Sequence, residues 1–204
     1  MFQLDHVIIA VLELNSAAED YRALGFTVNY GGRHASGTTH NALICFSDGT
    51  YLELLAPTGD PPLPGMPDFN LLLQHGEGLV GYALLAHDLE ADSTALRVRG
   101  ADVGEVKDGR RQRTDGIELH WRTANIDGGK SPFLIQDVTP RNLRVPDDRA
   151  ATTHSNGVTG IAKLEGSDLS GLHGNHRLIS LILVAPSLHA FDSARTHNVT
   201  LTAI

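Results

Sequence analysis

The feature that most constrains this chain is an order of elements that occurs twice: a strand, a helix closed by glycine, and then three strands. In the first run, Leu4–Val11 alternates as a strand. Ser16 and Glu19 form an S-x-x-E capping pattern for a helix that Gly25 ends in the left-handed conformation. Strands follow at 26–30, 40–46 and 50–56, the last two joined by the two-residue hairpin signal Asp48-Gly49. The segment GGRHASGTT between them reads as a Gly-rich loop. In the second run, 79–86 is a strand and 89–99 a helix capped by Asp88 and ended by Gly100. Strands at 101–106, 117–123 and 132–136 complete it, with Gly109-Arg110 in a polar loop. Leu14 and Leu89, and Gly25 and Gly100, are each 75 residues apart, and a fixed offset is the signature of an internal repeat. The chain therefore divides into a βαβββ half-module at 1–57, a Pro-rich linker at 58–78, a second βαβββ half-module at 79–138, and an extension at 139–204. The extension has candidate strands at 157–165, 178–185 and 198–204, enough for a partial third unit, and a loop at GSDLSGLHGNH. The fold class expected is α+β, with the half-modules building a curved, cup-shaped mixed sheet and a β-rich extension beside it.

Charge narrows the partners. The net charge is −8, which opposes a phosphate backbone or an anionic membrane surface. Arg110, Arg111 and Arg113 cluster in a polar stretch that reads as a solvated turn. No apolar run has the length of a transmembrane helix, and the first strand lacks the basic flank of a signal peptide. Cys45 is the only cysteine, so no intrachain disulfide is available, and a cytoplasmic location is expected.

His6 on the first strand and Glu53 on the last strand of the same unit are the side chains with metal-ligand chemistry. With a two-residue loop at 48–49, Ile44 pairs with Glu53, and His40 shares the face of Glu53 while Cys45 falls on the other. His40 is then a third ligand or an acid–base group, and His34 is placed to lean over the cup. In the second unit, Arg122 shares a face with His120 and suits a carboxylate or phosphate on a ligand. Trp121, on the opposite face, reads as core. His75, His87, His154, His173, His176, His189 and His197 read as solvated loop or end residues.

LDHVIIAVLEL, the helix ending LGF, GTTHNALICFSDGTYLELLAP and the later PFLI strand resemble the glyoxalase-like branch of the vicinal oxygen chelate superfamily over roughly residues 3–138. The resemblance implies paired βαβββ units forming a cup, a homodimer, and a metal held by a first-strand histidine and a last-strand glutamate, which here are His6 and Glu53. It also favours a role for His40 or Asn41 in the GTHNAL-like segment. The second unit departs from the pattern: Gly81 stands where the second histidine belongs, and within Phe133–Gln136 only Gln136 is a weak donor. Two functions follow. One is a lyase, isomerase or dioxygenase, with Zn, Mn, Ni, Co or Fe on His6, Glu53 and His40, Glu53 and His40 moving protons, and Arg122 and Asn41 holding substrate. The other is a metal-free protein that binds or sequesters a small organic molecule.

Overall fold

The computed structural model describes residues 2–61, 70–74, 76–126, 128, 132–166, 178–187 and 189–204. Most of the proline-rich stretch, the GSDLSGLHGNH segment, and His75, His173 and His176 lie outside the described residues. The strands β1 (Gln3–Ala10), β2 (Asn29–His34), β3 (Thr39–Cys45), β4 (Tyr51–Pro57), β5 (Gly78–Leu85), β6 (Lys107–Gln112), β7 (Glu118–Asn125) and β8 (Phe133–Asp137) form a closed barrel in the order β1-β4-β3-β2-β6-β7-β8-β5. Helix α1 (Leu14–Ala23) follows β1, the short α2 (Asn70–Leu73) precedes β5, and α3 (Leu89–Val98) follows β5. The extension adds α4 (Arg141–Arg144), α5 (Arg149–Thr152) and a second sheet, with β9 (Gly160–Gly166), β10 (Leu178–Val184), β11 (His189–Ala190) and β12 (Thr200–Ala203) in the order β11-β12-β10-β9.

The expected cup is closed further than the sequence implies. β1 pairs with β5, and β2 pairs with β6 through Arg33–Gln112 and His34–Arg111, so the sheet keeps no free edge. The strands that close it were the hardest to read. β2 begins at Asn29 and takes in Gly31, Gly32, Arg33 and His34 of the supposed loop, while β6 takes in Gly109-Arg110. These strands carry little apolar alternation, because one face meets solvent and the other lines a polar interior.

Helix α1 starts earlier than the capping pattern predicts. Glu13 caps it, accepting from the backbone N–H of Asn15 at 3.1 Å and Ser16 at 2.7 Å. An earlier start puts Leu14, Ala17, Ala18 and Tyr21 on one buried stripe, and their burial outweighs a Ser16 cap. At α3 the expected Asp88 cap forms, accepting from Ala91 N at 3.0 Å.

The main apolar core lies outside the barrel wall. Val7 and Ile9 of β1, Ala42 and Ile44 of β3, and Leu52 and Leu54 of β4 point outward onto α1. Leu181, Leu183, Leu201 and Ala203 of the second sheet join the same core. A smaller cluster of Leu89, Val103, Ala124, Ile126 and Leu134 sits under α3. With period two, the alternate residues of each strand must face the barrel interior. No helix among the described residues is long and apolar enough to cross a membrane.

Candidate functional site

The hairpin between β3 and β4 decides which side chains enter the barrel. Its loop has three residues, Ser47-Asp48-Gly49, not two. Phe46 N donates to Thr50 O at 2.9 Å, Gly49 N to Phe46 O at 3.1 Å, and Gly49 adopts φ +86°. The one-residue difference pairs Leu43 with Glu53. Asn41, Leu43 and Cys45 therefore share the face of Glu53, and His40 is turned to the other face. This corrects the placement of both His40 and Cys45. His40 meets Tyr30 edge-on at 6.1 Å, away from the interior. Cys45 is fully buried inside, and burial pushes its thiol up to about 12, so it remains a packed residue and not a nucleophile.

A cavity of about 260 Å³ occupies the interior. One wall, from β1, β2, β3 and β4, carries His6, His34, Asn41, Tyr51 and Glu53. The facing wall, from β6, β7 and β8, carries Arg111, Trp121, Thr123, Asn125, Phe133 and Ile135. Trp121, expected in the core, is thus a wall of the cavity. Arg122, expected to reach a ligand, points outward to Glu90 at 2.6 Å and Asp108 at 3.9 Å. Arg111, expected in a solvated turn, is buried at the cavity.

The polar groups of the first wall are bonded in series. Asp5 Oδ1 meets His6 Nδ1 at 2.6 Å, His6 Nε2 lies 3.4 Å from Glu53 Oε2, and Asn41 Nδ2 donates to Glu53 Oε1 at 2.6 Å. The His6 ring stacks on Tyr51 at 4.5 Å. Burial opposes charge on both His6 and Glu53, but each is the other's counter-charge. Their hydrogen bonds and attraction, with Asp5 on the far side of the ring, raise His6 and hold Glu53 down at about 2. Both shifts favour the charged form of each partner. His34 lies 3.8 Å from Glu53, and burial lowers its pKa.

The extension seals one end of the barrel. Arg144 of α4, 3% exposed, donates to Asp5 Oδ1 at 3.2 Å, Asp5 Oδ2 at 3.1 Å, Asp137 Oδ2 at 2.9 Å and Tyr51 Oη at 2.7 Å. Arg141 also binds Asp5, and Asp137 at 3.2 Å. The plug thus ties β1 to β8 and fixes the Asp5 end of the histidine chain.

The donors present do not fit a resident divalent ion. Ile8 lies opposite Glu53 in the parallel β1–β4 pair, and Ala83, 75 residues after Ile8, lies opposite Phe133 in β5–β8. The second-unit counterparts of His6 and Glu53 are therefore Gly81 and Phe133, neither of which can ligate. His40 is on the wrong face, and His6 and Glu53 are committed to each other. Among the described residues, no group of three His, Cys, Asp or Glu side chains is arranged to hold a metal.

Asp5, Tyr51, Arg111 and Arg144 escaped the sequence reading. Two glycines carried a usable signal. A Cβ on Gly31 of β2 would lie 2.1 Å from Asn41 Oδ1, and a Cβ on Gly109 of β6 would lie 2.2 Å from Trp121 Nε1. Each glycine in a second strand makes room for an inward side chain of the third, a close approach that a strand glycine signals.

The profile described as a glyoxalase-like domain matches residues 4–168. No curated protein matches the sequence. Among solved structures, a hypothetical protein from Staphylococcus aureus superposes over 100% of this chain and 99% of its own, with TM-score 0.74 at 15% identity. A selenomethionine-labelled methylmalonyl-CoA epimerase covers 67% of this chain and 97% of its own, with TM-score 0.50 at 18% identity. The methylmalonyl-CoA epimerase of Mycobacterium tuberculosis covers 66% of this chain and 87% of its own, with TM-score 0.49 at 22% identity.

Proposed function

Because the chain belongs to the family of glyoxalase-like domains, we propose that its barrel is a binding cup for a small organic molecule and works without a resident metal ion. The observation that carries this reading is the cavity of about 260 Å³ whose charged wall is already satisfied from within. His6 and Glu53, which would ligate an ion, pair with each other, and the far side of the His6 ring pairs with Asp5. The volume is at the small end for ligand sites, so the molecule is small. The likeness to the Staphylococcus aureus structure supports the fold, and the substrate of the epimerases is not carried to this chain.

Binding is favoured over proton transfer at Glu53. A general base works best with a pKa near the working pH. Glu53, held at about 2 beside His6, is a weak base. A metal-dependent lyase, isomerase or dioxygenase would need a third donor that the second wall does not supply.

Thermal unfolding against a library of small organic molecules tests the proposal. The expected result is a ligand-induced rise in melting temperature that survives EDTA. Zn, Mn, Ni, Co and Fe(II) alone should leave the melting temperature unchanged. A metal-induced rise that disappears in Glu53→Gln would overturn it.

A further inference from the structure

Among the described residues, Arg111 is a guanidinium with no carboxylate paired to it. It is 3% exposed and lines the cavity, and its one hydrogen bond runs from Nη2 to the Arg144 carbonyl oxygen at 3.2 Å. No carboxylate of the described residues lies within ion-pair distance of it. The nearby acids are taken: Asp5 and Asp137 by Arg141 and Arg144, and Glu53 by His6. A buried charge is retained at high cost unless something pairs with it. Arg144 shows the contrast, since it is as buried as Arg111 and has two carboxylates and a phenol on its donors.

Resting on the binding reading above, we infer that Arg111 is the recognition group for a small organic carboxylate, a monoanion held in the cup against the β6–β7 wall. A planar guanidinium matches a carboxylate with two parallel donors, which a lysine cannot reproduce. Thr123 and Asn125 line the same wall and offer hydrogen bonds to further polar atoms of the ligand, while Phe133 and Ile135 accept its apolar part. Arg144, the other guanidinium of the lining, is already taken by Asp5 and Asp137, so a second negative charge would find no partner there. The cup therefore selects one carboxylate on a short, partly apolar body. Its position is held by Gly31: a Cβ there would lie 2.6 Å from Arg111 Nη1.

Trp121 is the only tryptophan of the chain and lies in the cavity wall, so its fluorescence and its indole N–H resonance report on the cup. Propionate and its neutral isostere propionamide are the probes, titrated near neutral pH at constant ionic strength. Propionate should shift both signals saturably in the millimolar range, and propionamide should bind roughly tenfold or more weakly. Arg111→Gln should remove the preference, and Arg111→Lys should restore only part of it. The wild-type comparison needs no variant, so the test holds even where Arg111→Gln fails to fold. Equal binding of the two probes, or propionate binding undiminished in a folded Arg111→Gln, would overturn the carboxylate assignment and leave the binding cup standing. If neither probe shifts Trp121 while neutral molecules from the library do, the assignment also falls alone. If no small molecule of any class shifts it, the binding reading falls with it.

Discussion

Strands β1–β4 have α1 and a second sheet on their outer face, whereas β7 and β8 are covered by α3, and β5 stands between the two, with Leu79 in the first core and Leu84 against the second. Inside the barrel the contrast is chemical. The first four strands present Glu53, His6, His34 and Asn41, bonded among themselves, and the second four present Trp121, Thr123, Asn125, Phe133, Ile135 and the unpaired Arg111. Two halves with the same order of elements thus present different interiors. One is a heavily covered, internally neutralised wall. The other is a lightly covered wall whose polar groups are left for a partner.

The plug from the extension joins these halves, and removing it should have the largest effect. Arg144→Leu leaves Asp5, with no exposure, and Asp137 without their main partner. Breaking a buried pair on one side costs about 3–5 kcal/mol. Arg122→Ala removes the same residue type from the outside of the second half, where it is a third exposed, and should cost at most ~1 kcal/mol. Urea unfolding of the two variants measures both. A similar cost for the two would show that the plug is not what holds β1 to β8.

The glycines give a middle-sized test of whether the walls are equally tight. Alanine at 109 meets the indole of Trp121, and alanine at 31 meets the amide of Asn41. Overpacking of this kind costs ~1–3 kcal/mol. Gly109→Ala should move the Trp121 fluorescence maximum, because the indole itself must shift. Gly31→Ala should leave the emission nearer the wild type and disturb the Asn41–Glu53 bond instead. If both variants alter the emission equally, the walls do not move independently.

What the sequence revealed follows the same division. β1, α1, β5 and α3 were legible because their outward faces carry apolar residues at strand or helix spacing, and Gly25 and Gly100 mark both helix ends with positive φ. β2 and β6 were not, because Gly31, Gly32, Arg33 and Asp108, Gly109, Arg110 hide the alternation. Of the candidate residues, His6, Glu53 and Asn41 line the cavity, and His40 is turned to the other face by a single loop residue at Ser47. Arg144 was out of reach, since its bond to Asp5 spans 139 residues and no local pattern encodes such a contact. Arg111 was read as solvated because three arginines in a polar run carry no sign of which one turns inward.

The smallest effect expected is also the one that separates the histidines in and against the first half. His6 is raised by Asp5 and Glu53 against its burial, so its contribution to stability is fully present below the unfolded pKa of about 6.5 and is lost as pH rises through the folded value. His154 is lowered by burial: it accepts from Thr27 N at 2.9 Å through Nδ1, and Nε2 donates to Cys45 O at 3.0 Å. It is held neutral, so its contribution is present above about 6.5 and is lost as pH falls through the folded value. His34, also lowered, acts in the same direction as His154. The two windows meet at the unfolded value, so in the wild type the urea midpoint should rise with pH up to about 6.5 and fall above it. In His6→Gln the fall above about 6.5 should disappear while the rise below it stays, because His34 and His154 remain. In His154→Gln the rise below about 6.5 should shrink while the fall above it stays. Slopes that move the same way in both variants would show that His6 is not an imidazolium between two carboxylates. The charged wall of the first half would then need a different account from the one its distances support.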